Sequence, residues 1–259
     1  SLVKDDDIDI LVDLSGYTKD GRSQVFNYRP APVQISYLGY IGTLGNPNAD
    51  YIIADDFVVR NDENKLHYDE SMIFMPDCFQ CNYGGWHVTD KSRSALGLNK
   101  KFLFCGLNNS YKINVVVLDN WAKILKRCPE ASLLLNTPGP LHEKNIRDFF
   151  ASHEISSERV ILLPRMKKEV FLNYLKVSDV FLDTWPYNGG ATVHDAMKMG
   201  LPVLTRSGST FVSRMAGSLL NTMEIKDLIT ESDDAYVETA VKLYEDASYC
   251  ELNQFKTAQ

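Results

Sequence analysis

The chain has 259 residues, of which 44% are hydrophobic and 24% are charged. This length leaves room for two small domains or one large one, and the composition is that of a globular protein with a sizeable core. The formal net charge of -7 argues against a general nucleic-acid binder, because duplex binding depends on cations that meet phosphates. A local basic pocket remains compatible with this charge.

No apolar run approaches the roughly 20 residues of a membrane span, and the first residues do not resemble a secretory signal. We therefore expect a cytoplasmic protein without a membrane span. The five cysteines are an odd, scattered set, which is no disulfide framework: Cys78, Cys81, Cys105, Cys128 and Cys250. Cys78 and Cys81 form one C-x-x-C, but a zinc knuckle needs a second pair, so the pattern favours two reduced thiols.

The first half of the chain is irregular. We predict strands at 8–14, 33–38, 51–54 and 72–75, with a short helix at 22–28 that ends at prolines. Residues 76–100 are loop-like, and we place a domain boundary there, between 1–85 and 86–259.

The second half alternates apolar strands with amphipathic helices. We predict strands at 102–105, 132–135, 160–163, 180–183 and 203–204, and helices at 115–127, 142–152, 168–177, 192–199, 211–220 and, as the last, 234–245. This alternation predicts an α/β fold of βαβ units with a parallel sheet covered on both faces. Such sheets bind ligands beyond the carboxyl ends of their strands, so the turns after strands are the candidate sites.

The strongest candidate is the turn DTWPYNGGATVHD at residues 183–195. A strand ends, glycines follow, and small residues open a helix, whose free N–H groups suit a phosphate or diphosphate. Thr192 can add a hydroxyl donor, and Asp195 can accept hydrogen bonds from a ribose. The alternative is a plain turn with Thr192 as the helix N-cap and Asp195 beside the helix dipole.

Two further turns also follow strands and precede helices. In GLNNSYKI at residues 106–113, Lys112 can meet a phosphate, with Asn109 and Ser110 as neutral donors; a solvated loop lysine is the alternative. In MKKEVF at residues 166–171, Phe171 can stack on a nucleobase and Lys168 can reach a ribose or phosphate, whereas a core position for Phe171 is the alternative.

Together with DILVDLSGYTKDGR, RPAPVQISYLGYIGT and ADYIIAD, these segments resemble the catalytic region of the O-GlcNAc transferase family. These are GT-B glycosyltransferases that often carry N-terminal tetratricopeptide repeats; bacterial members and plant fucosyltransferase-type relatives are close. The resemblance runs from about Asp9 to Leu220 and implies two Rossmann-like lobes. The C-terminal lobe, 86–259, would be nearly complete, and 1–85 would be the end of the acceptor-side lobe.

The resemblance implies an inverting, metal-independent transfer of N-acetylglucosamine from UDP-GlcNAc to protein Ser or Thr hydroxyls, without a cofactor. Lys112 corresponds to the lysine that meets the diphosphate and would stabilise the departing UDP. Asp195 corresponds to the ribose carboxylate, and Lys168 to a lysine near the nucleoside. Phe171 stands where the family often has a histidine stacked on the uracil. A phenylalanine there can still stack on the base but lacks the polar ring atoms of histidine. Asn109 stands where the family has an amide near the phosphate.

The other implied positions fall into three groups. The phosphate-cradling turn comprises Gly189, Gly190, Ala191 and Thr192, the backbone near the sugar belongs to Leu38 and Gly39, and the acceptor side has Lys19 and Arg22. The resemblance also implies a histidine, proposed in the family as the catalytic base, in a segment before Ser1. The absence of a long insert between the lobes points to a bacterial-type member. Three readings stay open: this activity, a relative that uses another donor such as GDP-fucose or glycosylates Asn, and a non-catalytic nucleotide-sugar-binding or interaction module.

Overall fold

A computed structural model describes residues 2–60, 65–81 and 88–254 of the chain. The first of two parallel sheets has the order β1-β2-β3-β4. Its strands are β1 (Ile10–Asp13), β2 (Val33–Ser36), β3 (Tyr51–Asp55) and β4 (Ser71–Met75). Val12 lies opposite Ile35 in the β1–β2 register, and Ile53 opposite Ile73 in the β3–β4 register. All four strands were predicted at these places.

The second sheet has the order β10-β9-β8-β5-β6-β7. Its strands are β5 (Phe102–Gly106), β6 (Ala131–Thr137), β7 (Val160–Pro164), β8 (Val180–Leu182), β9 (Val203–Arg206) and β10 (Ile229–Thr230). The chain builds outward from β5 through β6 and β7, then returns to β8 on the other side of β5. The order therefore reverses between β5 and β8, which makes their carboxyl ends the topological switch point where α/β sheets bind ligands.

Helices connect these strands. Their bounds are α1 (Leu2–Asp5), α2 (Val115–Arg127), α3 (Pro140–Ser152), α4 (Lys168–Lys176), α5 (Ala191–Lys198), α6 (Met215–Thr222), α7 (Asp233–Glu245) and α8 (Ala247–Leu252). The sequence explains α2 well: the Asn114 side chain accepts a hydrogen bond from the backbone N–H of Val117 at 3.1 Å, an N-cap that contributes about 1 kcal/mol. On its apolar face, the side chains of Trp121 and Ile124 are completely buried.

Most of the predicted α/β pattern is confirmed. The short helix predicted at 22–28 is a 3-10 helix (Ser23–Tyr28), whereas the predicted helix 211–220 is divided into a 3-10 turn (Phe211–Ser213) and α6. The prediction that 234–245 is the last helix is wrong, since α8 follows it, and α1 and β10 were not predicted. The predicted boundary at 85/86 lies outside the described residues and stays a prediction.

The two sheets are joined by contacts of α6 and the turn before it. Ser218 on α6 donates a hydrogen bond from its hydroxyl to Oδ2 of Asp55, at the end of β3, over 2.6 Å. Phe79 and Phe211 pack edge to face with ring centroids 4.8 Å apart. In the described part of the chain, no helix has the length and apolar character needed to cross a membrane.

Candidate functional site

A cleft of about 520 Å³ opens at the carboxyl edge of the second sheet. Its walls come from the turns after β5, β6 and β7 and from the first turn of α5. The lining residues are Leu107, Asn109, Ser110, Asn136, Thr137, Pro138, Arg165, Met166, Lys168, Phe171, Ala191, Thr192 and Asp195. Six predicted site residues are thus brought together: Asn109, Lys168, Phe171, Ala191, Thr192 and Asp195.

Two helices begin at this cleft. Lys168 is the first residue of α4 and Ala191 the first of α5, and no side chain caps either N-terminus. Uncapped N–H groups and the positive end of the helix dipole favour an anion here. Gly190, not Thr192, occupies the N-cap position of α5, so the alternative reading of Thr192 as a structural N-cap is wrong. The hydroxyl of Thr192 lies in the first turn, on the wall of the cleft.

Lys168 and Asp195 form an ion pair across the cleft wall. The Asp195 side chain is 8% exposed and that of Lys168 37%. The Lys168 ammonium also lies 5.4 Å from the centre of the Phe171 ring. A nearly buried carboxylate with one cationic partner keeps acceptor capacity, because a carboxylate offers about four lone-pair sites. Phe171 is half-buried, packs against the core and lines the cleft, so both readings of this residue apply to it.

A buried polar network supports the glycine turn from below. Asp183 accepts hydrogen bonds from the Gly189 backbone N–H at 2.7 Å, the Asn108 amide at 3.0 Å and the Thr205 hydroxyl at 2.8 Å. Burial raises the pKa of Asp183 to about 6, against the lowering effect of the Gly189 and Thr205 donors and of Lys112. A Cβ at Gly189 would lie 2.8 Å from Oδ1 of Asn108, so only glycine fits this close approach. Sequence reasoning missed this network; the only signal was an acid at the end of a strand before a glycine turn.

Lys112 contacts the same turn and is not one of the residues that line the cleft. Its ammonium donates a hydrogen bond to the backbone carbonyl of Asn188 at 2.8 Å and lies 4.0 Å from the centre of the Tyr187 ring. Burial lowers the pKa of Lys112, and the Asp183 carboxylate opposes this shift. The reading of Lys112 as a solvated loop lysine therefore does not describe it, while its contact with a diphosphate stays a prediction.

The other predicted positions lie in the first sheet's lobe. Leu38, with a φ of 68°, and Gly39 form the turn after β2, and a Cβ at Gly39 would lie 2.0 Å from the Leu14 carbonyl oxygen. Lys19 and Arg22 are exposed, and Arg22 lines a separate open cavity of about 690 Å³. These four residues do not line the cleft, so their roles toward sugar and acceptor stay predictions. Among the described residues, no group of three or more His, Cys, Asp or Glu side chains could hold a metal.

Comparison with known proteins identifies the family. The model of glycosyl transferase family 41 matches residues 1–87 and 87–258. The chain belongs to this family. It is 33% identical over 251 residues to the probable UDP-N-acetylglucosamine–peptide N-acetylglucosaminyltransferase SEC of Arabidopsis thaliana, covering 93% of this chain and 26% of the relative. It is 31% identical over 257 residues to the SPINDLY protein of Petunia hybrida, which bears the same enzyme name, covering 96% of this chain and 27% of that protein.

Solved structures agree with this fold. A mutant of the Thermobaculum terrenum O-GlcNAc transferase superposes with a TM-score of 0.87 at 30% identity, over 96% of this chain and 48% of that one. The pneumococcal O-GlcNAc transferase GtfA, solved with UDP and GlcNAc, matches with a TM-score of 0.57 at 15% identity, which shows the fold alone. The parallel sheets with flanking helices are those of a GT-B glycosyltransferase. The chain spans about a quarter of the length of its curated relatives.

Proposed function

We propose that this chain is the nucleotide-sugar-binding part of an enzyme that transfers N-acetylglucosamine from UDP-GlcNAc to Ser or Thr hydroxyls of proteins, with inversion. The observation that carries the proposal is the cleft at the switch point, where the Lys168–Asp195 pair lies beside two uncapped helix N-termini. The names of the family 41 relatives support the donor and the protein acceptor.

In this proposal each wall of the cleft binds one part of the donor. The ribose hydroxyls donate hydrogen bonds to the Asp195 carboxylate, and Lys168 holds that carboxylate in place. The phosphates accept hydrogen bonds from the first backbone N–H groups of α5 and from the Thr192 hydroxyl, as helix N-termini favour anions. The base stacks on the ring of Phe171.

The chemistry that we propose needs a cation beside the leaving group. The acceptor hydroxyl oxygen attacks the anomeric carbon from the face opposite UDP while its proton passes to a general base, and the bond from that carbon to the diphosphate oxygen breaks with its electron pair on UDP. The ammonium of Lys112 stabilises this developing charge. We propose that this lysine takes the place of a metal ion at the leaving group, so that transfer is metal-independent and uses no cofactor.

A transfer assay on the full-length protein tests the proposal. Labelled UDP-GlcNAc and a peptide that contains one Ser and one Thr should give labelled peptide. Replacement of both of these residues by alanine should abolish the labelling, and a metal chelator should leave the transfer rate unchanged. UDP should compete and GDP should not. Competition by GDP alone would indicate another donor such as GDP-fucose, and donor binding without transfer would indicate a binding module; either result would overturn the proposal.

We further propose that the full-length protein is a cytoplasmic, bacterial-type member whose tetratricopeptide repeats present the acceptor proteins. The similarity to the Thermobaculum terrenum transferase over nearly the whole chain supports the bacterial-type part of this proposal. The reading frame upstream of Ser1 and the fractionation of the tagged protein test it. An upstream frame without helical repeats, or recovery of the protein outside the cytoplasm, would contradict it.

A further inference from the structure

Tyr187 lies between β8 and α5, in the turn that holds Lys112. The centre of its ring is 4.0 Å from the Lys112 ammonium, and the next residue, Asn188, accepts a hydrogen bond from the same ammonium through its carbonyl at 2.8 Å. We propose that Tyr187 is a positioning residue: its ring face holds Lys112 in place and keeps it charged beside the departing diphosphate. The inference rests on the proposed function for the role of Lys112, but the contact itself does not.

The ring compensates for the loss of water around the ammonium. Lys112 is largely buried, and that burial disfavours its charged form and lowers its pKa. A cation over the face of an aromatic ring is attracted by the ring quadrupole, and the attraction grows where water is excluded. Tyr187 therefore attracts the Lys112 ammonium without bringing a negative charge to the site. A carboxylate in the same place would repel a diphosphate.

The other groups near Lys112 show which part of the stabilisation of its charge is left to the Tyr187 ring. Asp183 is the carboxylate that raises the pKa of Lys112, but it is itself buried and committed to the Gly189 backbone and to Thr205. Tyr111 precedes Lys112 in the chain, and its ring centre lies 6.1 Å from that of Tyr187 at an interplanar angle of 59°. Tyr111 is 68% exposed and Tyr187 is 36% exposed.

The test varies the electrons of the ring without changing its size. The pKa of Lys112 is measured from its ¹³Cε shift in three forms of the chain: unsubstituted, Tyr187→Phe, and with a ring-fluorinated phenylalanine at position 187. Fluorine weakens the negative ring face while the volume and burial stay nearly constant, so all three forms should fold alike. We expect the Phe form to match the unsubstituted chain and the fluorinated form to lower the pKa of Lys112 by about one unit.

A second lysine–tyrosine contact supplies the matched control. The Lys242 ammonium lies 3.6 Å from the centre of the Tyr249 ring, on α7 and α8, away from the cleft. The same fluorinated residue at position 249 should leave the pKa of Lys112 unchanged. The proposal would be overturned if the pKa of Lys112 were equal in the Phe and fluorinated forms at position 187. It would also be overturned if Tyr187→Phe alone lowered the pKa of Lys112 by the whole unit expected for the fluorinated form.

Turnover in the full-length protein provides the second readout. With the fluorinated residue at position 187, the basic limb of the kcat–pH profile should move to lower pH by the same unit, while KM for the donor changes by less than about twofold. A shifted pKa with an unmoved basic limb would overturn the positioning role. Failure of the unsubstituted protein to transfer any sugar would refute the proposed function instead, and would leave the pKa comparison intact.

Discussion

Replacement of Asp195 by alanine tests the ribose site. The substitution removes a carboxylate that is 8% exposed and leaves its partner, Lys168, more accessible. A hydrogen bond to a charged group contributes more than a neutral one, so we expect UDP to bind about 1–3 kcal/mol more weakly. That free energy corresponds to an increase of about 5- to 150-fold in Kd.

Calorimetry with two ligands separates the ribose contact from a general loss of structure. The unsubstituted chain should bind 2′-deoxy-UDP more weakly than UDP, whereas Asp195→Ala should bind the two nearly equally. This double difference isolates the coupling between the carboxylate and the hydroxyl. The control is Asp233→Ala, which breaks the Arg206–Asp233 ion pair outside the lining of the cleft and should not change the ratio of the two Kd values.

Two results would refute this reasoning. An unchanged Kd for UDP in Asp195→Ala would show that the carboxylate does not contact the nucleotide. If Asp195→Ala weakened the binding of UDP and of 2′-deoxy-UDP by the same factor, the ratio of the two Kd values would stay that of the unsubstituted chain. This result would show that Asp195 acts by holding Lys168 rather than by binding the ribose.

Three further predictions concern the turn above the Asp183 network. Lys112→Ala should lower kcat in the full-length protein far more than donor affinity; unchanged turnover would refute the leaving-group role. Gly189→Ala should lower the free energy of unfolding by about 1–3 kcal/mol and weaken UDP binding, because its Cβ would meet Asn108 at 2.8 Å. Gly139→Ala, with open space around the Cβ, should cost less than about 1 kcal/mol through the N-cap of α3 and should leave UDP binding unchanged. Because burial raises the pKa of Asp183 from 3.8 to about 6, its folded state favours the protonated acid, and its contribution to stability, roughly 3 kcal/mol, is present below pH 4 and lost as pH rises through 6. Urea titrations from pH 4 to 7 should show this loss in the unsubstituted chain and not in Asp183→Asn; parallel curves would contradict it.

The regular half of the fold was predictable because each element carries its own signal. The helix at 115–127 has an asparagine N-cap and an apolar face, and its predicted bounds match α2. The strands that were predicted in both sheets, β1 to β9, are short apolar runs that turns delimit. These signals are local, so the sequence alone reveals them.

The differences arise where local signals conflict or are short. The run at 211–220 is apolar enough for one helix, but the Thr210 and Ser213 hydroxyls hydrogen-bond each other at 3.0 Å and close a separate 3-10 turn before α6. β10 has two residues and pairs only with β9, so periodicity has too little length to indicate it. α8 follows α7 after Asp246, whose side chain caps it, without a glycine or proline to mark the break.

The candidate site was predictable as a set of turns but not as a set of contacts. Asn109, Lys168 and Asp195 each follow a strand, and parallel strands bring such turns to one edge. The partners of Asp183 are different: Asn108 lies 75 positions earlier in the chain and meets it only because β5 and β8 are neighbours in the sheet. The same adjacency puts Tyr187 over Lys112, so pairs of this kind depend on strand order, which local patterns do not contain.

A crystal structure of the protein with UDP-GlcNAc is the most direct test of the central claim. The account predicts density for the nucleotide in the cleft between the turns after β5 and β7 and the start of α5, with the ribose on Asp195 and the diphosphate at the first N–H groups of α5. A nucleotide bound elsewhere, or bound in the cleft with its ribose away from Asp195, would contradict it.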